Sequence, residues 1–216
     1  MMHVPKPYNP PPADQLETVY VDDDLVVADK PSGLLSVPGL GPEKAVCANS
    51  LLSTRHGPVL TVHRLDMDTS GLILFARTKQ AQRALSRQFE LRRVEKKYEA
   101  LVEGHVIEDT GVIDKAIARH SLNRPLRHLD PDGQAAITHW RVLDRTASTT
   151  RLALSPKTGR SHQLRLHMAS LGHAILGDVF YGDPASHDRL CLHASHLTFA
   201  HPESEKTISL QTPTPF

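Results

Sequence analysis

The segment His63-Arg64-Leu65-Asp66-Met67-Asp68-Thr69-Ser70-Gly71, running directly into Leu72-Ile73-Leu74-Phe75-Ala76, limits what this chain can fold into more than any other stretch. A short unbroken apolar run bounded by a glycine-containing turn reads as a strand. The turn before it carries a cation, the carboxylates Asp66 and Asp68, and two hydroxyls ahead of the glycine. A strand leaving such a turn is a rigid base that holds a carboxylate in place.

Further elements follow from pattern. Alternation predicts strands over 18–21, 25–28, 97–102, 137–143, 151–154, 195–200 and 207–210. Residues 45–54 suit a short helix. Thr78 can cap a helix over 79–90, with Ala81, Ala84, Leu85 and Phe89 at helical spacing and Lys79, Arg83 and Arg87 on the other face. A second helix is predicted over 162–171, capped by Ser161, closed by Gly172 and buried through Leu164, Met168 and Leu171. Residues 119–134, with two prolines and a glycine, read as a loop. Residues 1–16 are Pro-rich and predict an irregular arm. Residues 17–216 then form a single α+β domain with a largely antiparallel sheet and flanking helices.

Bulk properties exclude some function classes. The formal net charge is only +1, so any polyanion partner must be held by local patches. Between Lys79 and Lys97 there are seven Lys/Arg against two Glu, and Arg119, Arg124 and Arg127 lie in a stretch without acids. Cys47 and Cys191 stand in no paired motif, which suits a reducing compartment. The N-terminus has no apolar core of a secretory signal, and no apolar run approaches membrane-spanning length. A cytoplasmic location is expected. Fourteen histidines invite a metal reading, but His162 with His167, and His193 with His196, have unconvincing ligand spacing. Neither a Gly-x-Gly-x-x-Gly motif nor a Walker-type loop is present. No metal or organic cofactor is expected.

The nonapeptide resembles the signature of the RluA-type pseudouridine synthases. Lys30-Pro31-Ser32-Gly33-Leu34, Lys96-Lys97-Tyr98, Thr158-Gly159-Arg160-Ser161-His162-Gln163-Leu164-Arg165-Leu166-His167-Met168, Leu176-Gly177-Asp178, Tyr181-Gly182 and Leu192-His193-Ala194 resemble further motifs of that family, in family order. The chain departs from the family pattern at Gln134 and Ala174. The resemblance implies the pseudouridine synthase fold and a catalytic cleft. It implies Asp66 as the catalytic carboxylate, Tyr98 stacked on a flipped uracil, and Arg165 paired with Asp66, which favours the charged carboxylate. Arg64 would fill the space the base leaves or steer that base. His63, Thr69, Arg160, His162 and Gln163 would contact substrate. Arg83, Arg87, Arg124 and Arg127 would hold phosphates.

The implied partner is RNA, and the implied enzyme is a monomer. With the first strand near residue 18, no separate N-terminal RNA-binding domain is expected. The chain is then similar to compact family members acting on 23S ribosomal RNA and a tRNA anticodon stem-loop. Each residue also has a plainer reading. An Arg-x-Asp pair is most often structural, a strand tyrosine is most often packing, and a helical arginine most often faces solvent. Two rival functions stand beside the synthase: a non-catalytic RNA-binding ribosome-assembly factor, and a glycosidase using Asp66 and Asp68 as paired carboxylates.

Overall fold

A computed structural model describes residues 7–120 and 125–216. In chain order its strands are β1 (Glu17–Val21), β2 (Leu25–Lys30), β3 (Leu60–Thr61), β4 (Ser70–Ala76), β5 (Glu95–Glu103), β6 (Thr110–Asp114), β7 (Ile117–Arg119), β8 (Arg127–Leu129), β9 (Ile137–Arg145), β10 (Thr149–Pro156), β11 (Leu192–Ala200) and β12 (Thr207–Gln211). Its α-helices are α1 (Ala48–His56), α2 (Lys79–Glu90) and α3 (Gln163–Ser170). One large sheet runs β1-β2-β4-β11-β5-β10-β9-β6, with β3 beside β4 and β12 beside β11. β7 and β8 form a separate ribbon. Among the described strands every pairing is antiparallel except β4 with β11. The fold is α+β, as expected.

β4 is buried at every residue, which is why its run from Leu72 to Ala76 is continuously apolar rather than alternating. Side chains on a strand point alternately to its two faces. Ile73 and Phe75 therefore pack with Ala48 and Leu52 of α1, while Leu72, Leu74 and Ala76 pack with Ala81 and Leu85 of α2. A third core joins Leu164 and Met168 of α3 to Ala100, Val102, Leu152, Leu154 and Leu192. Tyr98 packs against both this core and the α1 core.

The parallel pairing sets Ser70 opposite His193 and Gly71 opposite Ala194. Gly71 has φ +108, and a Cβ there would collide with the Ala194 backbone. Only glycine permits this approach. The Ser70 Oγ lies 2.8 Å from His193 Nδ1, and His193 Nε2 lies 2.9 Å from Thr212 Oγ1.

Several expectations hold at the level of bonds. Thr78 Oγ1 accepts the Ala81 amide at 3.0 Å and caps α2. Gly172, at φ +82, ends the turn after α3. Others are corrected. Part of the predicted 119–134 loop is β8, whose three residues are too few for alternation to show. β11 begins at Leu192, three residues earlier than predicted, because buried His193 interrupts the apolar pattern. Ser161 does not cap α3. The Gln163 side chain instead accepts the Arg160 amide at 3.0 Å and the Thr158 hydroxyl at 2.7 Å, and His162 takes a left-handed φ of 59 at the helix start. Leu171 lies past the last turn and is 38% exposed rather than buried. In the described part of the N-terminal arm, Tyr8 donates its hydroxyl to Val46 O, and Leu16 is fully buried.

Candidate active site

The sheet, the start of α3 and the β7–β8 ribbon enclose a cleft of about 880 Å³. Asp66, Tyr98 and Arg165, which lie far apart in the chain, all line it, as do His63, Arg64, Thr69, Arg127, Arg160, His162 and Gln163. Seven Lys/Arg and two acids line it among the described residues. That imbalance gives a near-neutral protein a locally cationic cleft, suited to a polyanion. Arg83 and Arg87 are exposed on α2 outside this lining, where Arg92, Lys96 and Lys157 stand on the wall instead. Arg124 lies outside the described residues.

The loop bearing Asp66 is held through its backbone. Lys30 is fully buried, and its Nζ donates to Pro31 O, Leu34 O and Met67 O at 2.9, 2.7 and 2.8 Å. Ser32 donates to Asp68 O at 2.7 Å, and Gly33 N to Met67 O at 3.0 Å. Ser36 bonds both the carbonyl and the amide of Leu65, at 2.7 and 3.1 Å. Thr69 N closes the turn on Asp66 O at 3.2 Å. The segment 30–36 therefore clamps residues 65–68, which is the structural use of the Lys30-Pro31-Ser32-Gly33 motif. Burial pushes the Lys30 amine down to about 7, against the pull of Asp68 and Asp66. Burial also raises the Asp68 carboxyl, although Arg165 and Lys30 oppose it.

Arg165 is 2% exposed, yet its main partner is not Asp66. Nε and Nη2 donate to the two oxygens of Asp178 at 2.8 and 2.5 Å, a bidentate fork. Nη1 lies 3.9 Å from Asp66 Oδ2. The expected Arg165–Asp66 pairing is thus a looser contact, and the tight partner, Asp178, carries no role from its sequence motif. Asp178 is wholly buried and also accepts the Phe180 and Tyr181 amides at 2.9 and 3.1 Å. The guanidinium sits 4.9 Å from the Phe180 ring centroid and 5.6 Å from that of Tyr181. Burial disfavours the Arg165 charge, but the Asp178 bonds and the nearby Asp66 and Asp68 outweigh it, so its pKa is raised. Asp66 itself is 29% exposed, open to the cleft.

Tyr98 faces Asp66 from the sheet. Burial, and then the Asp66 charge, push its phenol upward, so the ring presents a neutral stacking surface. His63 stacks on Phe89 at 4.5 Å, and its Nε2 accepts the Leu74 amide at 2.9 Å. Burial lowers His63 to about 3, so it is neutral. Gln163 donates to Ile137 O and Thr138 Oγ1, both at 3.0 Å. Both side chains are thus committed within the protein, and what they offer the cleft is wall. Thr69 is buried and Arg64 exposed at its edge. His167 spends both ring nitrogens on Thr138 Oγ1 and Lys115 O, at 2.9 and 3.0 Å. Among the described residues no group of His, Cys, Asp or Glu is placed to hold a metal ion.

The family described as RNA pseudouridylate synthase matches residues 24–170. The chain is 48% identical over 214 residues to the dual-specificity RNA pseudouridine synthase RluA of Pasteurella multocida, spanning 97% of this chain and 98% of that protein. It is 43% identical to the protein of the same name from Escherichia coli, again over 97% and 98%. Among solved structures, human RNA pseudouridylate synthase domain containing 1 superposes with a TM-score of 0.80 at 30% identity, over 96% of this chain and 87% of that one. A motif set in family order, a shared fold and near-full-length identity agree: the chain belongs to the RluA-type pseudouridine synthases and is an RNA-modifying isomerase.

Proposed function

We propose that Asp66, Tyr98 and Arg165 carry the isomerisation. The observation that supports this is their convergence in one cationic cleft, with the Asp66 carboxylate open to it and its loop clamped from behind. The reaction breaks the bond between the uracil nitrogen and the ribose, turns the base, and joins the ribose to a ring carbon. That carbon loses a proton and the freed nitrogen gains one, so atoms balance without a redox partner. A carboxylate beside the sugar can attack the anomeric carbon or take a ribose proton. The target base must leave its stack, and the flat Tyr98 ring offers it a new surface. Arg165, locked by Asp178, supplies fixed positive charge beside Asp66. Gly71 and the clamp keep the carboxylate from following the substrate.

The substrates we propose are 23S ribosomal RNA and a tRNA anticodon stem-loop, in keeping with relatives named for dual specificity. The rest of the proposed reading is a monomer, acting in the cytoplasm through one domain over residues 17–216 and needing no cofactor. Among the described residues no helix is long and apolar enough to cross a membrane. Arg119 and Arg127 stand directly opposite each other in the β7–β8 ribbon, an arrangement that repels unless an anion sits between them. With Arg160 they line a second hollow of about 370 Å³ beside the cleft, which we assign to RNA phosphate. His63, Arg64, Thr69, His162 and Gln163 shape the cleft, while Arg83, Arg87 and Arg124 supply outlying charge. A non-catalytic RNA-binding factor has no use for the buried Arg165–Asp178 lock beside an open carboxylate.

The test is nucleoside analysis after incubation with an isolated anticodon stem-loop and with a 23S hairpin of similar loop. Pseudouridine in both is the expected product. Free uracil would mean a glycosidase, and conversion of neither RNA would remove the substrate assignment. Affinity should fall steeply with salt, and Arg119→Ala should flatten that slope by about one phosphate contact.

A further inference from the structure

We propose that His162 is a positioning residue for Asp66, and that Tyr181 sets the ring tautomer through which it acts. The proposal rests on the role assigned to Asp66 above. Its starting point is a hydrogen bond whose direction is certain. The Arg127 backbone amide points at Tyr181 Oη, 2.9 Å away. An amide N–H can only donate, so the phenol oxygen accepts there. The phenol's own proton then needs an acceptor. His162 Nδ1, at 2.8 Å, is the one within reach among the described residues. A ring nitrogen that accepts carries no proton, so the neutral imidazole holds its proton on Nε2. Burial, opposed by Asp66, lowers the His162 pKa and keeps the ring in that neutral form.

Nε2 faces the cleft carboxylate, 3.9 Å from Asp66 Oδ2. Closing that gap by about 1 Å makes an N–H···O bond of ordinary length. Arg165 Nη1 approaches the same oxygen at the same distance, so two donors flank Oδ2 from the α3 side. The ring itself is held. It lies nearly parallel to Phe180, with an interplanar angle of 16° and centroids 5.4 Å apart. A chain of contacts thus runs from the β8 amide through Tyr181 and His162 to the carboxylate. β8 also presents Arg127 to the cleft, so RNA seated against the ribbon loads the same chain.

His162 has φ 59, a conformation in which Asn and His are both enriched. This separates a structural role from a donor role. If the residue only satisfies the backbone, His162→Asn is the better replacement. If it acts through Nε2–H, His162→Gln is better, because its amide nitrogen reaches the Nε2 position. We expect His162→Gln to keep about tenfold more of kcat than His162→Asn, with similar KM for RNA. Nitrogen-15 NMR of the histidine-labelled protein without RNA should show His162 protonated on Nε2 in the wild type, with the Nδ1–H form appearing in Tyr181→Phe. A wild-type ring protonated on Nδ1, a tautomer indifferent to Tyr181→Phe, or an Asn variant as active as the Gln variant overturns the proposal. The wild-type tautomer decides even if a variant fails to fold. It is read without turnover, so an error in the role given to Asp66 would show separately, as unimpaired activity of Asp66→Asn.

Discussion

Arg165 gives its two-pronged bond to Asp178 and leaves a single nitrogen, 3.9 Å away, for Asp66. The cation beside the candidate catalytic carboxylate is thus neutralised from behind by a second, wholly buried carboxylate. Asp178 keeps the guanidinium in place, and Asp66 is left without a tight ion pair.

The two acids should therefore differ under substitution. Asp66→Asn should lose activity by on the order of a thousandfold or more, while RNA affinity stays within about tenfold and stability changes little. Asp178→Asn should lose stability by roughly 3–5 kcal/mol, because it leaves the buried Arg165 charge with only the looser Asp66 contact to balance it. Single-turnover assays and chemical denaturation measure both. A stable Asp178→Asn enzyme with full activity would contradict the lock.

Double-mutant cycles refine the same point. In stability, Arg165 should couple strongly to Asp178 and weakly to Asp66. In turnover, Arg165 should couple to both. Asp68→Ala should cost far less activity than Arg165→Ala, since the loop is held at the Asp68 carbonyl and not by its carboxyl.

Lys30→Met should act at a distance. It removes the ammonium donor from three carbonyls, and leaves that of Met67 with the Gly33 amide alone. The expected loss is about 2 kcal/mol or more in stability. A fall in kcat of about tenfold should accompany it, from a looser Asp66 loop. Unchanged kcat in a folded Lys30→Met protein would show that the clamp does not govern the carboxylate.

Acid sensitivity should trace partly to His193. Burial, and then Arg189, lower it to about 4 from an ordinary value near 6.5. Between those values the unfolded chain binds the proton and the folded chain does not. Stability is therefore fully present above about pH 6.5 and drains away as pH falls toward 4. His63, lowered to about 3, extends the same loss further down. Denaturation midpoints between pH 7 and 4.5 should fall less steeply in His193→Asn, which removes the titrating ring. An identical slope would assign the sensitivity to other groups.

Much of this site could be read before its geometry was known, and the missing parts share a cause. β4 and α2 announce themselves through an apolar run and a capped helical period, which are local signals. Asp66, Tyr98 and Arg165 stood out through motifs, and the fold brings them into one cleft. Asp178 lies in the Leu176-Gly177-Asp178 motif but carries no role from sequence, because in an irregular segment no periodicity tells an exposed acid from one buried under an arginine. Ser161 reads as a helix cap because hydroxyls favour that position, but the chain enters α3 through left-handed His162, whose side chain makes no cap bond, and the Gln163 side chain reaches back to Arg160 N and the Thr158 hydroxyl. For His63 and Gln163, polarity in a motif could not show whether the side chain faces a ligand or the protein's own backbone. The clamp from Lys30 to Ser36 works mainly through carbonyls, which every residue carries and no sequence distinguishes.

The parallel pairing at Gly71 also sets an order of assembly. β4 carries the Asp66 loop, yet its neighbour β11 is more than a hundred residues further along the chain. A chain emerging from the ribosome can already form the α1 and α2 layers on the β2–β4 pair. Until Leu192-His193-Ala194 arrives, however, the edge of β4 at Ser70 and Gly71 lies open, and the Asp66 turn rests on the clamp from segment 30–36 alone. Closing so long a loop is entropically slow. The candidate catalytic cleft should thus be among the last parts of the molecule to become native, and a nascent chain holding every residue up to α3, still without Asp178 and β11, is expected to be inert.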